Sequence, residues 1–406
     1  MNDTGTLNAP SENTLRTLRA WVEDRQLDML DDLRDYVTLE TPSDDPEALA
    51  RGLAWVRDWL ITRLGPPASE QRHPGGQYGD TIVLDYPGTT DCASAGVVTM
   101  LAHYDTVWPL GTLQEIPFTV ESDIIRGPGV FDMKAGLVQA VWAVAALNEH
   151  AQGRPPLRWV LNGDEELGSP SSRRIIEDAC RSAQAVLVFE ASAEGAVKTA
   201  RKGVGLFDVH LSGVEAHAGL DPTAGASSIT ALAELVTYLG QGQDPVAGTT
   251  INVGVVEGGS RRNVTAGSAH AGIDVRVSDP AEQGRVDRLL SEWAPSNPRV
   301  QAKVTGGWNR PVMTRTPEIA SLFIDAQAIA RRLGVRLKET AVGGASDGNF
   351  AAVLGLPVLD GFGAVGSGAH ARSEHATVSG MLERTAVAAG VLNILGLRNT
   401  PAAQVP

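Results

Sequence analysis

A chain of 406 residues is about twice the length of an average domain, so two domains are expected, and 43% apolar against 20% charged residues excludes a disordered chain. The formal charge of -14 argues against nucleic acid as a partner, because phosphate binding needs clustered Lys and Arg. Two cysteines, Cys92 and Cys180, are too few for a disulfide framework or a thiolate zinc site.

Residues 1–13 are polar and acidic, without the basic start and apolar stretch of a secretory leader. No run reaches the apolar length of a bilayer span, so the expectation is a cytoplasmic protein with no membrane partner. From Leu15 to about Leu64 the pattern is helical, in two helices separated by a turn at Thr41–Asp44. Four short β-branched runs follow, at 81–84, 96–101, 157–161 and 185–189, and an apolar helix from Ala135 to about Leu147 lies between the middle two. Strands alternating with helices predict an α/β fold, a mixed sheet flanked by helices.

After about Arg201 the character changes. Strands at 204–211, 249–256, 269–277 and near 300–305, with helices at 226–239 and 281–293, predict an inserted α+β domain with a four-stranded antiparallel sheet and two helices. Its bounds are 203–311, inside a catalytic domain formed by 1–202 and 312–406. A helix at 317–333, a strand at 356–359 and a long helix at 377–395 complete that domain, and the last ten or so residues read as frayed.

His103, Glu165 with Glu166, and Glu190 each fall at or just past the end of a predicted strand, where open α/β sheets hold their ligands. Asp105, two residues after His103, can share its face and orient the imidazole. Asp132 ends a glycine-rich loop where a helix starts; it reads either as a cap or as a carboxylate bridging two cations about 3.5–4 Å apart. Three acids in a row, Asp164–Glu166, repel one another unless a cation or protons neutralise them. Of the two histidines in the loop 368–375, His375 is the chosen ligand, with Glu374 as its neighbour. Nitrogen and carboxylate oxygen without thiolate is the donor set of a hydrolytic zinc site, although Co2+ or Mn2+ suits the same ligands.

These motifs resemble the M20 family of co-catalytic zinc metallopeptidases. They comprise the His103–Val107 stretch, the Gly129–Lys134 stretch, Asp164–Ser169, Ala216–Gly219 and Ser373–His375. The likeness is strongest to glutamate carboxypeptidases of the carboxypeptidase G type, with acetylornithine deacetylase and succinyl-diaminopimelate desuccinylase further off. The resemblance implies two zinc ions per subunit, one held by His103, Asp132 and Glu190 and the other by Asp132, Glu166 and His375. It also implies Glu165 as general base and acid and Asp105 as a support behind the ligands. The inset becomes a lid and homodimerisation domain, whose His217 reaches the partner's active site and stabilises an oxyanion. Asn263 and Arg276 match positions that bind a substrate carboxylate, Gly344 lies in a glycine-rich loop near the substrate, and Lys198 and Arg310 are weaker candidates for substrate recognition.

The expected function is hydrolysis of the amide bond to a C-terminal amino acid, glutamate first, in a small N-acyl or peptidyl substrate. An N-acyl-amino-acid deacylase is the alternative, and a non-catalytic scaffold a remote one.

Overall fold

The computed structural model describes residues 10–150 and 152–398, so the chain end read as frayed lies largely outside the described residues. Two compact units are present. One comprises Arg201–Thr314 with Gly343–Ala345, and the remaining described residues form the other.

The larger unit opens with three helices, Glu12–Asp24, Gln26–Thr38 and Pro46–Leu64, where the sequence pattern suggested two. The extra break is a bend at Arg25, without glycine or proline to announce it. Asp45 caps the third helix by accepting the Ala48 N–H at 2.9 Å, with Pro46 in its first turn. The central sheet has six strands in the order Ser69–His73, Thr81–Tyr86, Leu157–Asn162, Val97–His103, Ala183–Val188 and Val358–Leu359. The last four are parallel and the first two antiparallel, giving the expected mixed sheet. Val97–His103 runs between two parallel neighbours, and the carboxyl ends of all three strands come to one edge, with His103 opposite Asn162 and Leu101 opposite Val188.

Helices Ala135–Glu149 and Val378–Gly396 pack on one another and are buried around nearly their whole circumference. Together with Val130–Lys134, which leads into the first of them, they supply two stretches long and apolar enough to cross a bilayer, which corrects the sequence expectation of none. Most of each stretch lies inside the fold, and a helix covered on every side must be apolar on every side. The core they share includes Trp159, Leu187, Val98 and Met100.

In the smaller unit four antiparallel strands lie in the order Thr250–Gly258, Ser268–Val277, Gly203–Ser212 and Gln301–Arg310. Alternation along Ser268–Val277 buries Ala269, Ala271, Ile273, Val275 and Val277 in a core shared with helices Ser228–Gln241 and Pro280–Glu292. Asp274 and Arg276 fall on the other face.

Candidate metal centre and active site

The strand ends of the larger unit deliver the acidic and imidazole groups. His103 is the last residue of its strand and fully buried; Glu165 and Glu166 form a tight turn after Leu157–Asn162; Glu190 follows Ala183–Val188. The His103 Nδ1 lies 3.0 Å from the Asp105 carbonyl oxygen and 3.3 Å from Asp105 Oδ1. Its Nε2 lies 3.5 Å from Asp132 Oδ1 and 3.4 Å from Glu190 Oε1. Asp105 also accepts the backbone N–H groups of Glu165 at 3.3 Å and Glu166 at 3.2 Å, and the Ser43 hydroxyl at 2.8 Å. One buried carboxylate therefore orients both the imidazole and the acidic turn.

The second half of the cluster forms around His370. Its Nε2 lies 3.1 Å from Glu166 Oε2 and 3.5 Å from Asp132 Oδ2. Asp132 thus turns one oxygen to His103 and the other to His370. His375, the expected ligand, lies instead in the short strand His375–Thr377, paired with Ser367 and Arg126. Strand alternation sends Glu374 and Ala376 inward and His375 to the opposite side, where its Nδ1 sits 3.0 Å from the Ser373 carbonyl. His370 stands at the turn instead, with φ at 61°, after Gly368 at 84°. A Cβ on Gly368 would lie within 3.0 Å of the Ser373 and Glu374 backbone, so this tight reversal presents the imidazole.

Two further devices hold the ligand loops. The Glu374 carboxylate, 1% exposed, accepts the N–H groups of Phe131 at 2.9 Å, Asp132 at 3.1 Å and Gly129 at 3.0 Å, and the Trp108 indole at 2.7 Å. Burial pushes this carboxyl up from its ordinary value, against the pull of the four donors. The Phe189 carbonyl, just before Glu190, is wedged between glycines: a Cβ on Gly136 would come within 1.9 Å of its oxygen, and one on Gly363 within 2.1 Å. Behind the acidic turn, Asp164 accepts the N–H groups of Ser171 and Ser172, while Asp347 accepts from Asn162 and Ser169.

The cluster has the chemistry of a cation site. His103, Asp132 and Glu166 offer ligand atoms all within 4.8 Å of one another, as do His103, Glu165 and Glu190. His103 Nε2, Asp132 Oδ1 and Glu166 Oε1 are buried without a hydrogen-bond partner, a costly state that a divalent cation relieves. Burial works to lower the His103 pKa, but Asp105, Asp132 and Glu190 overcome it and hold the imidazole well above its ordinary value. Hydrogen bonding to Asp132 and Glu166 likewise raises His370. Burial pushes Glu166 up, and the nearby Asp132 charge adds to it, whereas the two imidazoles draw Asp132 down against its own burial. Lys198, half-buried beside Asp360, adds a positive charge that also lowers Asp132.

The remaining candidates belong to the smaller unit. His217 and Asn263 are exposed neighbours, with His217 bridged to Val264 and the Ala218 N–H donating to the Asn263 carbonyl at 3.0 Å. The His217 Nδ1 accepts the N–H groups of Gly219 at 3.2 Å and Leu220 at 3.1 Å, which leaves its proton on Nε2. Arg276 makes two hydrogen bonds to Asp274, at 2.8 and 2.7 Å. Arg310 is buried at the end of its strand, and Gly344 lies in an exposed loop where its carbonyl accepts from Arg201 at 3.1 Å.

A family model described as peptidase family M20/M25/M40 matches residues 99–393, well over half of the chain. The chain belongs to peptidase family M20. Among its M20 relatives, carboxypeptidase G2 of Pseudomonas sp. (strain RS-16) is 28% identical over 380 residues, covering 92% of this chain and 90% of that protein. Acetylornithine deacetylase of Myxococcus xanthus is 29% identical over 228 residues, 53% of this chain and 55% of that one. In fold, the chain is similar to a tripeptidase from Staphylococcus aureus, with a TM-score of 0.74 and 19% identity over 92% of this chain and 99% of that one. M20 membership makes this chain a hydrolase of peptide or amide bonds in a metallopeptidase and carboxypeptidase family, and implies use of a divalent metal.

Proposed function

We propose that the chain releases a C-terminal amino acid, glutamate first, from an N-acyl or peptidyl group, at a centre for two zinc ions. One observation carries the two-ion reading: the Asp132 carboxylate faces a different imidazole with each oxygen, His103 on one side and His370 on the other. Glu190 completes the first donor set and Glu166 the second. When bound, divalent cations at this centre lower the pKa of water and polarise a carbonyl.

The side chains divide the remaining work. Glu165, held by Asp105 through its backbone N–H, takes the proton from the attacking water and passes it to the leaving amine. His217 presents Nε2–H as a neutral donor to the oxyanion, since two backbone N–H groups occupy its Nδ1. The smaller unit acts in this reading as lid and homodimerisation domain, which brings His217 to the partner's site. Arg276 and Asn263 bind the carboxylate of the released amino acid, with Gly344, Lys198 and Arg310 in supporting contact. Likeness to acetylornithine deacetylase over 53% of the chain supports a second reading, deacylation of a small N-acyl amino acid.

Glu165→Gln tests the division of labour. Turnover is expected to fall by at least about a hundredfold with ion content unchanged. Loss of bound ions together with activity would make Glu165 a ligand and refute its role as base.

A further inference from the structure

In the smaller unit, the loop that carries His217 is tied by backbone bonds at its ends. Val214 and Ala226 bond to each other in both directions at 2.9 Å, and the Thr265 N–H donates to the Ala216 carbonyl at 2.9 Å. Beyond His217 the chain turns through small and polar residues, and Leu220, 82% exposed, gives that turn no apolar anchor. Among the described residues, the hydrogen bonds that reach residues 219–225 from outside the loop come from one side chain, Arg299. Its guanidinium donates to three successive carbonyls, those of Thr223 at 3.2 Å, Ala224 at 2.9 Å and Gly225. Arg299 is itself held: its N–H donates to Asn297 Oδ1 at 3.0 Å, and the Glu234 carboxylate, on helix Ser228–Gln241, accepts the N–H and hydroxyl of Ser296 at 3.0 and 2.6 Å. The next residue, Val300, is buried in the core of the smaller unit.

A relay of backbone bonds links this grip to the imidazole. The Ala224 N–H donates to the Asp221 carbonyl at 3.2 Å, the Asp221 N–H donates to the His217 carbonyl at 3.0 Å, and the His217 Nδ1 accepts from Gly219 and Leu220 within the same turn. The direction of Nε2 is therefore set by the turn that Arg299 clamps, and a charged donor makes that clamp stronger than a neutral one. Resting on the role proposed above for His217 at the oxyanion, we infer that Arg299 is a positioning residue: it touches no substrate and acts by aiming that imidazole. A donor that matters only as the oxyanion forms governs kcat and leaves KM alone.

Arg299→Ala, His217→Ala and the double variant are compared with the parent as metal-replenished enzymes, on a panel of N-acyl amino acids that includes N-benzoylglutamate and N-acetylornithine. Arg299→Ala is expected to lower kcat by about tenfold or more, with KM and ion content within about twofold of the parent. In the His217→Ala background the same change is expected to cost less than about twofold, because there is then no imidazole to aim. Arg299→Lys keeps the charge without the fork and should restore part of kcat; it also carries the comparison if the alanine variant does not fold. Hydrogen exchange of residues 217–226, which needs no substrate, is expected to quicken by about tenfold in Arg299→Ala. An undiminished kcat in Arg299→Ala, an equal loss in both backgrounds, or unchanged exchange overturns the inference while His217 keeps its role. If His217→Ala turns over as fast as the parent, the oxyanion role falls and the inference with it, and Glu165→Gln still judges the hydrolase reading. A parent inactive on the whole panel refutes that reading and the inference that rests on it.

Discussion

Glu374→Ala tests whether one buried carboxylate holds the bridging loop in place. At 1% exposure the group has no water to fall back on, and it accepts four hydrogen bonds between 2.7 and 3.1 Å. Bonds to a charged acceptor contribute about 1.5–3 kcal/mol each, so a simple sum is about 6–12 kcal/mol. Two effects reduce it: the variant no longer pays to bury a carboxylate, a cost visible in the raised pKa of Glu374, and water can enter the space to meet some orphaned N–H groups. A net loss of about 3–5 kcal/mol is expected. Glu374→Gln keeps the shape but turns an NH2 group against two of the four donors, so it should recover only part of that loss. Asp132 is the last residue of the clamped segment, and a loosened loop should weaken ion binding by about 10–100-fold. Urea unfolding of the larger unit and metal analysis of purified protein check both effects. A Glu374→Ala protein within about 1 kcal/mol of the parent, with full ion content, would refute the reasoning.

Other expectations follow from the same geometry. His370→Ala should lose about one bound ion per chain and nearly all activity, while His375→Ala keeps both; the reverse pattern in a metal assay would reinstate His375. In the metal-free protein both His103 and His370 have pKa values raised above 6.5, so protons held there at neutral pH must leave before a cation binds. Ion uptake should therefore release protons near pH 7 and tighten as pH rises through the raised values. Calorimetry in two buffers of different ionisation enthalpy measures that release, and none detected would count against the assignment. Gly136→Ala should force the Phe189 carbonyl, and Glu190 with it, to move, costing about 1–3 kcal/mol or more and lowering ion content. Unchanged melting and ion content would show that the wedge is not needed.

The strands carrying His103, Glu165 and Glu190 were legible because they are buried on both faces and read as β-branched runs with acids or histidine at their ends. The strand Ser69–His73 was not, since an edge strand exposed along most of its length carries no hydrophobic pattern. The different placements of His370 and His375 were not legible for another reason. Five residues apart in one loop, they differ by a backbone reversal at Gly368–His370 and by strand pairing at His375, and both depend on distant segments such as Arg126. A cue was present: Glu374, Ala376 and Val378 alternate inward, which turns His375 away. The Glu374 clamp joins residues more than 240 positions apart, and the glycines against Phe189 are also far from it in sequence, so no local spacing announces either contact.

Asp132 stands between His103 and His370 with one oxygen for each, which makes it the least adjustable member of the group. Any displacement that improves its reach on one flank worsens it on the other, so the two halves share a common fulcrum. On the proposed two-ion reading, variation in ion preference or reactivity would come from the outer donors, Glu190 on one flank and Glu166 or His370 on the other, while the pivot stays fixed.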